Sequence, residues 1–356
     1  MEGRIKLVRN KLDELNLDGI MINNPQNRYY MTGFTGTAGT ILITKKTAKI
    51  ITDFRYTEQA KEQAVDYEIV EHGNSKLETL SEELKDLEIN RLGFEAAYET
   101  YKQYNKYQDK FGFLELVSTK GLVEELRKIK DASEIKEVKK AVKIADQAFD
   151  HILDYIEPGL TEREVSLELE YFMKKQGATD NAFDFIVASG KRGVLPHGVA
   201  TDKELEAGDM LTLDLGCVYR GYNSDLTRTI IIGAEPTEKQ EEVYQIVLKA
   251  QLAAIDAIKP GKTGAEVDKI AREIITKAGY GENFGHGLGH GVGLQVHEEP
   301  RLAKTGKTKL ESGMIVTVEP GIYLPDWGGV RIEDIVEVTI DGCRILTEAS
   351  KELIRV

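Results

Sequence analysis

Gly208-Asp209-Met210-Leu211-Thr212-Leu213-Asp214-Leu215-Gly216 and Ser312-Gly313-Met314-Ile315-Val316-Thr317-Val318-Glu319-Pro320-Gly321 are two versions of one pattern. Each is an apolar strand that carries a carboxylate near its end. Aligned from their terminal glycines, Asp214 falls on Glu319. The doubling extends upstream. Glu157-Pro158-Gly159-Leu160-Thr161-Glu162-Arg163-Glu164-Val165 resembles Lys259-Pro260-Gly261-Lys262-Thr263-Gly264-Ala265-Glu266-Val267, at an offset of 102 residues. Thr161 with Glu164, and Thr263 with Glu266, have capping-box spacing, in which hydroxyl and carboxylate each accept a free backbone N–H at a helix start. Gly177 and Gly279 suit the left-handed position that ends such helices. The pattern predicts two similar α/β halves, with both carboxylates brought to one central cleft.

Each half offers a second acid. A hairpin of residues 211–218 with 222–232, turning at Tyr219-Arg220-Gly221, sets Asp225 almost opposite Asp214. Glu333 lies on residues 330–338, which are expected to pair with 314–319. Like charges opposed on a sheet repel unless something positive lies between them. A carboxylate in apolar surroundings must be paired, protonated or coordinated. Solvated positions on an alternating strand would account for any single acid, but less well for four in two matching frames.

The chain has six histidines, and three of them (His286, His290, His297) fall between Gly285 and Pro300 among closely spaced glycines. Histidine is the commonest metal ligand. Four carboxylates carry four negative charges, which two divalent ions would balance. Oxygen-rich ligation with one imidazole suits manganese, cobalt or iron and is compatible with zinc. Two such ions activate the water between them.

Ahead of this repeat, residues 4–17 have helical spacing, Ile20-Met21-Ile22 reads as a buried strand, and residues 25–39 read as loop-like at both ends and rich in glycine. Strands at 40–44 and 48–52, helices at 57–65 and 75–87 and a strand at 91–94 complete a βα pattern. The charged stretch 120–137 marks a boundary near 122, so an α/β domain over 1–122 precedes a second domain over 123–356. Hydrophobic residues make up 41% and charged residues 30%, an ordinary soluble composition. A net charge of −13 argues against a nucleic-acid partner, whose phosphates need clustered Lys and Arg. No apolar run approaches the roughly 18 residues of a membrane span. Two distant cysteines, Cys217 and Cys343, fit a reducing cytoplasm.

At these residues the chain resembles the pita-bread metallopeptidases: aminopeptidase P, proline dipeptidase, methionine aminopeptidase and creatinase. The resemblance covers essentially the whole chain. It implies an N-terminal creatinase-like α/β domain followed by a pita-bread domain with a pseudo-two-fold internal repeat. It also implies two bound metal ions, bridged by Asp225 and Glu333, with Asp214 on one and His290 and Glu319 on the other. His197 and His297 match substrate-contacting histidines, and His286 and Arg331 match positions that shape the substrate site. Glu319 would shuttle the proton of the attacking water. His72 and His151 have no counterpart role and read as surface or satisfied core residues.

The glycines of 285–293 do not fit the Gly-x-Gly-x-x-Gly frame of a dinucleotide loop. Creatinase lacks the ligand set, methionine aminopeptidase lacks such an N-terminal domain, and a non-catalytic binding module would have lost ligands. The expectation is therefore a cytoplasmic Xaa-Pro peptidase, Mn²⁺ being the preferred metal, acting on peptides with proline second and forming a homodimer. Between an aminopeptidase for longer peptides and a dipeptidase for Xaa-Pro alone, the sequence reading leans to the aminopeptidase.

Overall fold

The computed structural model describes residues 2–356. The chain divides into two compact units, one ending at Arg127 and one running from Lys128 to Val356. The first is built on a six-stranded sheet of β1 (Gly19–Ile22), β2 (Thr40–Thr44), β3 (Ala48–Thr52), β4 (Glu68–Glu71), β5 (Arg91–Glu95) and β6 (Glu115–Thr119), in the order β4-β3-β2-β1-β5-β6. Leu80, Leu84, Tyr107 and Phe111 pack on Met21, Leu42, Ile51 and Leu92 in one core. The opening helix, Glu2–Glu14, buries Ile5, Val8 and Leu12 but leaves Leu7 exposed.

The stretch 25–39 is not all loop, because it begins with a helix, Pro25–Thr32. The Asn24 side chain accepts the N–H groups of Gln26 and Asn27, and Pro25 fills a first-turn position that needs no N–H. Gly33, at φ +73°, ends the helix. The helix Leu122–Arg127 belongs to the first unit, where Arg127 Nη1 donates to Asn27 Oδ1 at 2.7 Å. The boundary expected near 122 lies at the start of this helix, and the division follows its end.

The second unit contains the two halves read from the repeat. The first half has helices Ala132–Tyr155 and Glu162–Lys175 with β7 (Asp180–Asn181), β8 (Ile186–Ser189), β9 (Met210–Leu215), β10 (Cys217–Tyr219), β11 (Tyr222–Asn223) and β12 (Leu226–Ile231). The second half has helices Glu238–Ala257 and Gly264–Lys277 with β13 (Gly289–Gly291), β14 (Glu298–Leu302), β15 (Ile315–Val318), β16 (Gly321–Leu324), β17 (Gly328–Arg331), β18 (Asp334–Val338) and β19 (Cys343–Ile345). Sheet orders are β12-β9-β8 and β11-β10-β7 in one half, and β14-β13-β15-β18-β19 and β16-β17 in the other. Each half has its own core, Phe149 and Leu169 against Leu213 in the first, and Val247 and Val267 against Val316 in the second. Both capping boxes form, and Gly177 and Gly279 lie at φ +102° and +92°.

Each hairpin bends where its acids lie. On β9, Asp214 faces Thr227 of β12, and Asp225 lies two residues before Thr227, so the two acids are diagonal rather than directly opposed. In the second half, Val318 faces Asp334 and Gly321 faces Arg331. Glu319 and Glu333 stand opposite each other in the gap between these two ladders. Pro320 has no N–H for the ladder. The backbone N–H groups of Glu319 and Glu333 donate instead to Leu288 O at 2.8 Å and Thr227 O at 3.1 Å. Asp214 and Glu319 are thus equivalent. The second acids are not, because Glu333 takes the register place of Thr227, and Arg331 that of Asp225.

Candidate active site

A cavity of about 490 Å³ opens in the second unit. All nine residues singled out from the sequence line it: Asp214, Asp225, His290, Glu319, Glu333, His197, His286, His297 and Arg331. Asp225, His290 and Glu333 bring one donor atom each within 4.8 Å of one another.

His290 sits on the short strand β13, where its N–H donates to Thr317 Oγ1 at 3.0 Å. Its Nδ1 lies 3.1 Å from Gly291 O. A carbonyl can only accept, so Nδ1 carries a proton and Nε2 is the nitrogen turned to the acids. That nitrogen lies 3.2 Å from Glu319 Oε1 and 3.7 Å from Asp225 Oδ2. Asp214 Oδ1 and Glu333 Oε1 are buried with no hydrogen-bond partner.

The electrostatics point the same way. Burial raises the Asp214 carboxyl and lifts Asp225 and Glu333 well above the usual carboxylate range; Glu333 adds to the rise at Asp225, and Glu319 to that at Glu333. Burial also works against ionised Glu319, but the His290 contact, with the charges of His286 and Arg331, holds it at about 2. Acids this reluctant to ionise together, plus one imidazole nitrogen and unpartnered oxygens, form a donor set that fits divalent cations.

A stability test follows. A raised carboxyl favours folding below its unfolded pKa, and that contribution is lost as pH rises through the folded value. With metal chelated, Asp225 and Glu333 should therefore lower the melting temperature as pH rises from about 5 to about 8. Adding Mn²⁺ should reverse the fall, as read by calorimetry. Glu319 acts oppositely, losing its contribution only as pH falls towards 2. A metal-free melting temperature that stays level over that range, or one that Mn²⁺ leaves unmoved, would count against a cation site here.

Residues 136–340 match the family described as Metallopeptidase family M24, and residues 4–129 match the Creatinase/Prolidase N-terminal domain. The chain belongs to metallopeptidase family M24. It is accordingly an enzyme with the pita-bread fold, and membership implies divalent metal ions. It is 53% identical to a solved structure of an Xaa-Pro dipeptidase from Bacillus anthracis, with a TM-score of 0.98, covering 100% of this chain and 99% of that one. A curated Xaa-Pro dipeptidase from Pyrococcus horikoshii is 43% identical over 357 residues, 99% of each chain. A solved X-Pro aminopeptidase from Thermotoga maritima is 40% identical, with a TM-score of 0.92, covering 97% of this chain and 100% of that one.

Around the acids of this M24 chain lies a set of supports that the sequence reading did not single out. Thr227 Oγ1 donates to Glu333 Oε2 at 2.6 Å, and Thr317 Oγ1 to Glu319 Oε1 at 3.1 Å. Such contacts orient a ligand and tune its basicity. Each threonine lies two residues from an acid, so strand alternation was the available signal. Tyr323 was also missed. Arg331 Nη1 donates to Tyr323 Oη at 2.8 Å, so the Tyr323 hydroxyl is free to donate to His286 Nε2 at 2.9 Å; His286 Nδ1 donates to Gly287 O at 2.7 Å.

Arg331 lines the cavity, yet its guanidinium is turned mainly to protein groups. Nη2 donates to Asp214 Oδ2 at 2.6 Å and Nε to Thr227 Oγ1 at 3.1 Å. His197 and His297 are exposed on the rim. The His297 ring lies 4.3 Å from that of His290. Partial burial, then the charges of His290, Arg301 and His197, hold it at about 4, so it is neutral near pH 7. His151 bonds Glu168 and stacks on Phe172, away from the cavity.

Proposed function

We propose that the protein is a two-metal Xaa-Pro dipeptidase, splitting the bond between an N-terminal residue and a following C-terminal proline. The observation that carries the metal chemistry is the approach of donor atoms of Asp225, His290 and Glu333 to within 4.8 Å of one another, with unpartnered Asp214 and Glu333 oxygens, on one cavity. The dipeptide preference is supported by the named relatives, and it replaces the longer-peptide preference drawn from the sequence. A cavity of about 490 Å³ suits a small peptide, within the roughly 300–1,000 Å³ of small-ligand sites.

Asp214, Asp225, His290, Glu319 and Glu333 would hold the two ions, with Mn²⁺ the preferred metal over Co²⁺, Fe²⁺ or Zn²⁺. When bound, such ions supply Lewis acidity and a water of lowered pKa. Glu319, lining the cavity beside His290, would take the proton of that water and pass it to the leaving proline nitrogen. His297, neutral near pH 7, and His197 stand on the rim to donate to the substrate carbonyl as negative charge develops there. Arg331 holds Asp214 and, through Tyr323, His286, which together shape the wall where the substrate lies. The reading includes a cytoplasmic setting, in keeping with two free thiols, and a homodimer, for which mass in solution is the check.

One Xaa-Pro dipeptide assayed beside one Xaa-Pro-Yaa tripeptide tests the specificity. The dipeptide should be cleaved and the tripeptide left intact, with cleavage abolished by chelator and restored by Mn²⁺. Comparable cleavage of the tripeptide would favour the second reading, an Xaa-Pro aminopeptidase, which the 40% identity to the Thermotoga maritima enzyme supports. Activity that survives exhaustive chelation would overturn both.

A further inference from the structure

Residues 190–200 make an excursion whose tip, Leu195-Pro196-His197-Gly198, carries Pro196 and His197 to the cavity wall. Within the tip Gly198 N–H donates to Leu195 O and Val199 N–H to His197 O, while Arg331 Nη1 donates to Pro196 O at 3.3 Å and Val199 bridges Ile186. Leu195, His197 and Val199 are exposed. These contacts hold the backbone on either side of His197, and the ends of the excursion add a second fastening.

The two ends of the excursion are fastened to one carboxylate. Glu162, 0% exposed, sits in the first turn of helix Glu162–Lys175. Its Oε1 accepts Ser189 N–H at 2.8 Å and Ser189 Oγ at 2.9 Å. Its Oε2 accepts Thr201 N–H at 3.1 Å, Thr201 Oγ1 at 2.8 Å and Arg192 Nη1. Arg192 also turns back across the excursion, donating Nη2 to Val199 O at 2.9 Å. The helix start is tied to the same segment, Arg163 N–H donating to Thr201 O at 3.0 Å. A carboxylate at a helix N-terminus with this many donors is well placed to stay ionised.

The repeat sharpens the point. The counterpart of Glu162 is Gly264, where a Cβ would come within 2.0 Å of Arg301 O. One half uses this position for close backbone packing, and the other for a buried charge. The helix cap does not need that charge, because Thr161 and Glu164 already supply the capping box.

We propose that Glu162, with Arg192, is a positioning residue that closes the neck of the 190–200 excursion and so sets His197 at the active-site cavity. The proposal rests on the peptidase reading above. Glu162→Gln places an amide donor among groups that are themselves donors. It should lower kcat/KM by roughly 100-fold, the scale of a displacement of about 1 Å. Arg192→Met removes two bonds of the clasp, those to Glu162 and to Val199 O, from outside the cavity lining and should lower kcat/KM by about ten-fold. In both variants Mn²⁺ bound per chain stays at the wild-type value, while amide hydrogen exchange speeds up at 190–200 and not at 284–291.

The deciding measurement is a double-mutant cycle with His197→Ala. Residues that act through one another are non-additive, so Arg192→Met should cost nothing further once His197 is gone. Additive losses, unchanged exchange at 190–200, or a fall in bound Mn²⁺ would overturn the proposal. Should Glu162→Gln fail to fold, the Arg192→Met arm decides. Wild-type protein that hydrolyses no Xaa-Pro peptide with Mn²⁺ present would overturn the functional reading instead, and the exchange arm would still judge the clasp.

Discussion

Asp225→Asn is expected to lose its full complement of bound metal and at least about three powers of ten in kcat/KM, equivalent to roughly 4 kcal/mol of transition-state stabilisation. Asp225 is 6% exposed and its Oδ2 lies 3.7 Å from His290 Nε2. The amide keeps the shape of the side chain but removes one of four negative charges. It also brings an N–H₂ group that repels a cation. The substitution is gentle to the fold, since Asp225 and Glu333 repel each other in the metal-free protein. The melting temperature without metal should therefore hold or rise while metal content falls. Elemental analysis of dialysed protein beside steady-state kinetics makes the check. A variant that keeps two ions per chain and wild-type kcat/KM would refute the assignment of this site.

Arg228→Met should cost about 3–5 kcal/mol of stability, the scale of breaking a buried ion pair by removing one partner. Arg228 and Asp334 are 1% and 0% exposed, and Nη2 lies 2.9 Å from Asp334 Oδ1. The guanidinium also donates to the carbonyls of Thr227 and Glu333 through Nη1, to Ala349 at 2.7 Å through Nη2 and to Ser350 at 2.8 Å through Nε. Methionine fills much of the space but satisfies none of these oxygens. Lys351 Nζ, at 2.6 Å, and Gln251 Nε2, at 2.8 Å, remain on Asp334 and limit the loss. Urea unfolding followed by the fluorescence of Trp327, the single tryptophan, which lies in the second unit, reads the effect. The backbone of both Thr227 and Glu333 loses its tether, so Mn²⁺ affinity should drop as well. A change below about 1 kcal/mol would mean that the pair contributes little beyond its own desolvation.

Much of the fold was legible because its signals are short-range. Thr161 with Glu164, and Thr263 with Glu266, cap their helices through contacts three residues apart, and both boxes form as their spacing required. The strands around Asp214 and Glu319 were apolar enough to be read as buried. The helix at Pro25–Thr32 was missed although its signal was also local, because the Asn24-Pro25 start was overshadowed by the glycines after it. The candidate site was legible by residue type, and all nine residues line one cavity. Its supports were not. Thr227, Thr317 and Tyr323 carry no unusual spacing of their own and matter only through what lies opposite.

By itself the sequence determined two repeated α/β halves, each with an acid at a strand end, and a glycine-lined stretch supplying one imidazole. Capping, strand alternation and glycine tolerance act over a few residues, so their record survives in spacing. Tertiary structure alone decided that Glu333 takes the register place of Thr227, that Arg331 turns to Asp214, and that Glu162 closes the neck below His197. Arg331 and Asp214 are 117 residues apart in the chain. Their meeting depends on the ladder opening at Pro320 and on how two hairpins bend around one cavity, which no spacing within either hairpin encodes.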